Sequence, residues 1–329
     1  MGLPLIMISC FKEDELVQPY DRGDVVVKTI EMTQYYTNQI YFDLEKGEEV
    51  SVNNKNEWDL GFDCSEEGSH IILNTSAFMV AANSGLTDFE QVFDTTGLQW
   101  KFDKSDGNLD STAIDSWFTI EQNDTIYLGY VYVINRGYTD LGTLRGLKKI
   151  QFNKLADETY YFRFANLDGS DAHDFTVQKD QGVSFTCFSF NEGGQQLFFE
   201  PPIDTWDILF TQYTTLLYTD EGDPYPYLVT GVLLNRRNVE ATIDSLNEFS
   251  DITISDVQGR IFSNVLDYIG YDWKNLVGDV NSGNVSYTIV PGRSYMIKNR
   301  NGFFYKLRFT GFYNNSGEKG YPTIEFKLL

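Results

Sequence analysis

The chain is poor in the residues that site chemistry most often draws on. Its 329 residues include two histidines, His70 and His173, and three cysteines, Cys10, Cys64 and Cys187. No Cys-x-x-Cys is present, so a thiolate zinc site has no support. Gly-x-Ser-x-Gly, His-Glu-x-x-His and phosphate-binding glycine loops are missing too, and a serine or cysteine nucleophile would have only two histidines to serve as base. The chain is therefore not expected to be an enzyme. Positive charge is also short: 25 Lys and Arg stand against 48 Asp and Glu, a formal charge of −23. With the acids scattered along the chain, phosphate repulsion disfavours a nucleic-acid partner. Helical periodicity is scarce.

What is abundant is aromatic side chains, at 16%, mostly Phe and Tyr, both sheet formers that carry large apolar area. One aromatic phrase occurs twice, as Trp58-Asp59-Leu60-Gly61-Phe62 and Trp206-Asp207-Ile208-Leu209-Phe210, at an offset of 206 − 58 = 148. In each copy the Trp, the Leu or Ile, and the Phe sit two apart, so an extended backbone puts them on one sheet face and the Asp on the other. Other pieces recur in the same order: Gln39-Ile40-Tyr41-Phe42 with Gln196-Leu197-Phe198-Phe199, Trp117 with Trp273, and Lys148 to Phe152 with Tyr305 to Phe309. Thr159 to Phe164 likewise answers to Thr323 to Leu328. The expectation is an all-β protein of two tandem antiparallel modules related by internal duplication, residues 21–178 and 179–329, after a tether of residues 1–20.

Strands of five or six residues punctuated by Gly, Asn and Asp fit that plan. Cys187 sits in the apolar run Val183 to Phe188, where a buried thiol and a disulfide to Cys64 are both open. The acidic stretches Asp103 to Asp110 and Asp168 to Asp174 lack the alternating spacing of a calcium loop and read as solvated turns. Thr219 to Tyr227, rich in Tyr and Pro, reads as an exposed recognition loop. The first ten residues end Ile8-Ser9-Cys10, an apolar run too short to span a membrane and similar to the end of a bacterial lipoprotein signal. Cys10 would then be lipidated, and the acidic cluster after it resembles a tag for the outer face of the outer membrane.

The Trp-Asp strands, the Asn-containing strand Ile71 to Ser76 and the closing strand and hairpin Leu307 to Gly320 resemble the HmuY family of haem-binding outer-membrane lipoproteins. The resemblance touches both modules. It implies a surface lipoprotein that captures haem and passes it to a TonB-dependent transporter. Members hold iron through paired His or Met, and here the candidates are His70, Met79 nine residues later, and His173. Each also has a plainer reading: His70 as a turn residue, Met79 as core, His173 as a surface ring between Asp171 and Asp174. Met296 aligns with Val133, which points to packing. The competing expectation is a surface binding or scaffold lipoprotein that keeps the fold without iron ligands.

Overall fold

A computed structural model describes residues 23–122, 124–279 and 284–329. It is all-β and antiparallel, and the helical segments among the described residues are 3-10 turns of three or four residues. Two five-stranded sheets have matching order. One runs Val26–Thr29, Lys319–Leu328, Phe304–Tyr313, Ser294–Lys298, Glu240–Asp244; the other runs His173–Gln178, Thr159–Asn166, Leu147–Ala156, Val131–Asn135, Val80–Asn83. Two four-stranded sheets match in the same way. Gln195–Leu197, Phe185–Ser189, Leu60–Asp63 and Ile71–Leu73 form one; Glu48–Asn54, Asn38–Asp43, Ile208–Tyr218 and Pro224–Leu234 form the other.

Each four-stranded sheet packs on a five-stranded one, because alternation along the strands gives both an apolar face. The first core gathers Leu60, Phe62, Trp117, Phe152, Phe162 and Phe188; the second gathers Phe42, Phe210, Trp273, Tyr295, Phe309 and Phe326. Phe62 stacks on Phe162 at 5.2 Å, and Trp273 lies flat on Phe309 at 3.9 Å. Strand pairing crosses the line between 178 and 179 in both directions. Ile40–Phe42 pair with Ile208–Phe210, while Phe185–Phe188 pair with Leu60–Asp63. The proposed repeat units thus lend strands to each other: Val26 to Asn54 build into the second core, and Phe185 to Leu197 into the first.

The Trp-Asp phrases sit where the four-stranded sheets begin, and their aspartates are fully buried. Asp59 accepts two hydrogen bonds from Arg136, from Nε and Nη2 at 2.9 Å each, and one from the Phe190 N–H at 2.9 Å. Arg145 stands 2.8 Å from its other side. Asp207 takes the Leu44 N–H at 2.8 Å and pairs with Arg300 at 2.9 Å, and Arg300 also reaches Asp43. An asparagine amide closes each turn: Asn74 donates to the Lys55 and Trp58 carbonyls, and Asn235 to those of Ile203 and Trp206. The indoles do not follow Leu60 and Phe62 into the core as the alternation predicted. Both precede the first strand residue, and neither joins the two main clusters; Trp58 is half-buried and Trp206 buried elsewhere.

Lys274 is buried beside Trp273, its ammonium 4.1 Å from the ring centroid, donating to the Thr230 and Tyr271 carbonyls. Burial pushes its pKa down to about 7. The unfolded chain therefore holds more protons than the folded one above that value, and stability rises as pH goes from about 7 towards 10. Lys274→Met is expected to flatten that slope in urea unfolding followed from pH 7 to pH 9. Asp59→Ala and Asp207→Ala, which strand buried guanidinium groups, are each expected to cost about 3–5 kcal/mol in the same measurement.

Candidate functional site

Between the two sandwiches the long strand Ile208–Tyr218 separates two hollows, and Gln212 lines both. The first is a narrow, partly open pocket with a volume of about 120 Å³, rimmed by the exposed residues Lys104 and Asn108. Its walls include Trp58, Trp206, Tyr41 and Phe185, so the indoles absent from the cores are here. Trp206 meets Tyr41 edge-on at 4.9 Å, and Trp58 donates from its ring nitrogen to Gln39 Oε1 at 2.9 Å. Charged groups share the space: Glu200, Arg236 and Asp103.

Asp103 spends both oxygens on backbone donors, the N–H groups of Leu73 at 2.6 Å and Ala113 at 2.7 Å. Burial still raises its pKa to about 6. Glu200 accepts the Phe185 N–H through Oε2 at 3.0 Å, and burial raises its pKa too. Ser184 Oγ lies beside that carboxylate and draws its pKa down without closing a hydrogen bond. The Arg236 guanidinium donates to the Gly107 carbonyl at 2.8 Å and lies over the Phe185 ring at 5.1 Å; Glu200 and Asp103 are its strongest favourable charges. Four sealed polar atoms in this wall have no partner: Glu200 Oε1, Trp206 Nε1, Tyr213 Oη and Ser184 Oγ. Left so, each costs about 1–3 kcal/mol. From sequence, Trp206 was marked only as a sheet residue and Asp103 only as part of a solvated turn, yet both are buried here; Glu200, Arg236, Tyr213 and Ser184 were not singled out. Charge inside an apolar stretch was the available signal for Glu200 and Arg236, and it was masked by the general abundance of acids.

The second hollow is an open cleft of about 570 Å³. Tyr35, Tyr36, Phe78, Tyr138 and Tyr227 give it an aromatic lining, with Lys55 and Lys319 at its edge. The Lys55 ammonium is held by Gln212 Oε1, and burial lowers its pKa to about 8. Lys319 sits over the Tyr36 ring at 5.4 Å. The stretch expected as an exposed loop contributes Pro226 and Tyr227, but as strand: Pro224–Leu234 is the edge of its sheet, where a missing N–H is tolerated. Only its tip, Thr219 to Asp223, is a turn.

The residues singled out from sequence lie elsewhere. His70 is half-exposed, with Nδ1 3.1 Å from Asp63 and Nε2 4.0 Å from Asp110. Met79 is fully buried in the first core, its sulfur 3.8 Å from Arg145. His173 bonds Asp171 at 2.8 Å and leans on Phe164 at 5.4 Å. None of the three lines either hollow. Cys10 is outside the described residues. Cys64 and Cys187 are both buried and free; Cys64 meets Thr186, whose neighbour Cys187 points to the opposite sheet face and lines the narrow pocket. Met296 is buried with Ile252 and Leu329, under the loop that covers the outer sheet face.

A family model described as HmuY protein matches residues 35–326. The chain belongs to the HmuY family. Among solved structures it is similar to apo PinO from Porphyromonas gingivitis, at 10% identity over 93% of this chain and 99% of that one, with a TM-score of 0.32. It is similar also to the apo HmuY analog of Tannerella forsythia, at 12% identity over 94% and 98%, TM-score 0.25. A third is a putative HmuY-like haem-binding protein from Bacteroides vulgatus, at 17% over 54% and 90%, TM-score 0.19. No curated protein matches. The HmuY family is associated with haem binding. No helix among the described residues is long and apolar enough to cross a membrane.

Burial pushes both thiol pKa values up, so the thiolate needed for alkylation is scarce. Iodoacetamide is expected to label neither Cys64 nor Cys187 in the native protein and both in urea without prior reduction, as read by mass spectrometry. A requirement for reductant would mean that they are paired.

Proposed function

We propose that this HmuY-family chain is a cell-surface lipoprotein, anchored to the outer membrane through lipid on Cys10, that captures haem or a related ligand and hands it to a TonB-dependent transporter. It acts by binding and not by catalysis. The observation that carries the reading is the open cleft. Its volume of about 570 Å³ is in the range of cofactor sites, its aromatic walls suit a flat apolar ring system, and Lys55 and Lys319 suit acidic substituents.

Iron of a haem seated in the cleft is then met by a cleft tyrosine, since phenolate is an accepted axial ligand, whereas the residues marked in the sequence, His70, Met79 and His173, would hold iron only at a site outside the cleft lining. His70 and His173 each have one ring nitrogen on a carboxylate, the arrangement that orients a metal-binding imidazole. Met79 reaches iron only if its cluster opens. A second reading, a binding or scaffold lipoprotein without iron ligands, is favoured by the same enclosure of Met79 and by the distance of both histidines from the cleft lining.

Haemin titrated into the purified protein is expected to give a saturable Soret shift, weakened about tenfold when Tyr138 and Tyr227 are both replaced by Ala. His70→Ala and His173→Ala report whether an imidazole holds the iron. No shift in either the oxidised or the reduced state overturns haem capture and leaves the second reading.

A further inference from the structure

The narrow pocket lined by Glu200 and Arg236 is separate from the cleft and is far too small for a porphyrin. Its 120 Å³ compares with the cavity of about 150 Å³ that holds benzene, so it suits a molecule of about five to seven heavy atoms. The lining is not that of an empty apolar void. A carboxylate and a guanidinium, Glu200 and Arg236, face the same space and are each other's main electrostatic counterpart, yet they do not form an ion pair. The second Glu200 oxygen has only Ser184 beside it, and the Trp206 N–H and the Tyr213 hydroxyl have no acceptor. Unlike charges that share one narrow pocket without pairing, with spare donors beside them, suit an occupant that carries both signs. A simple cation would meet Arg236 and Lys104, and a simple anion would meet Glu200 and Asp103.

We propose that this cavity binds a small zwitterion of the amino-acid type, its ammonium held by Glu200 and its carboxylate by Arg236, with Trp206 Nε1 and Tyr213 Oη as further donors to the carboxylate. Phe185, whose N–H holds the other Glu200 oxygen and whose ring carries Arg236, fixes the two charges relative to each other. Trp58 and Tyr41 cover the aliphatic part. Gln212, shared with the cleft, is the one side chain that touches both hollows through its amide, which bonds Lys55 on one side and Thr230 on the other.

The test uses glycine, L-alanine and L-serine as probes on the purified protein, by calorimetry and by the fluorescence of the two indoles in the wall. Propionate and ethylamine serve as analogues that carry one charge only. Saturable binding of at least one amino acid is expected, with both analogues weaker by about tenfold or more, as loss of a charge-assisted hydrogen bond dictates. Glu200→Gln and Arg236→Met are each expected to weaken the amino acid by a similar factor while leaving haemin titration unchanged. Absence of saturation by all three amino acids up to about 10 mM, in a protein whose wild-type fold is intact, overturns the proposal and leaves the cavity to ordered water. Analogues that bind as tightly as alanine overturn it too. The probes carry no iron, so failure of haem capture in the cleft leaves this result standing, and the reverse holds as well.

Discussion

A carboxylate that water cannot reach must be neutralised where it stands, and the fold is arranged around two of these. Asp59 and Asp207 have no solvent exposure, and every group that satisfies them comes from a different part of the chain. Arg136, Arg145 and Phe190 converge on the first, and Leu44 and Arg300 on the second. Because attraction in a buried pair exceeds desolvation only with near-ideal geometry and full hydrogen bonding, each cluster fixes register as much as it stabilises. The backbone of each aspartate also joins strands: Asp59 donates to Phe188 and accepts from Asn74, and Asp207 donates to Phe42 and accepts from Asn235. Shifting either strand by one residue would break all of these contacts together.

The same local plan turns the indoles outward. With Asp59 and Asp207 pinned to arginine, the preceding tryptophans lie ahead of the first strand residue and both line the pocket between the sandwiches. The two rings share the wall of that pocket with Glu200, Arg236 and Asp103. Elsewhere the buried bases are capped by main chain. Lys149 gives its protons to the Phe89 and Val92 carbonyls, and Lys306 to those of Phe249 and Ile252, each tying a long loop across the outer face of its five-stranded sheet. The two halves thus match in clamps, sheets and loop ties.

The strands and the paired order of motifs were legible because period-two alternation and bulky aromatics are local signals. Leu60, Phe62, Ile208 and Phe210 face the cores as their spacing indicated. Partner choice was not legible. Alternation tells which face a residue takes but not which strand lies alongside, so nothing in Asn38 to Asp43 marked its pairing with Ile208 to Phe210. Trp58 and Trp206 were placed on the core face because the spacing continued through them, whereas the buried carboxylate between indole and strand ends the regular backbone. Pro224 and Pro226 read as loop residues and are in an edge strand, where the fold tolerates them. Burial of Glu200 and Arg236 depends on both halves at once, and no window of sequence contains that.

The strand exchange sets an order of completion. Residues 38–54 are among the first described residues to leave the ribosome, but the strand that receives them starts at Ile208, 208 − 54 = 154 residues later. At typical synthesis rates that is an interval of roughly ten to thirty seconds in which Tyr41 and Phe42 have no sheet to join. The first core, built from Leu60 to Leu197 without a break, can close in the meantime. The half that takes in Val26 to Asn54 is therefore the last to become solid: the aromatic edge at Tyr41 and Phe42 is a hazard until Ile208–Tyr218 arrives, and Val26–Thr29 waits longer still, for Lys319–Leu328.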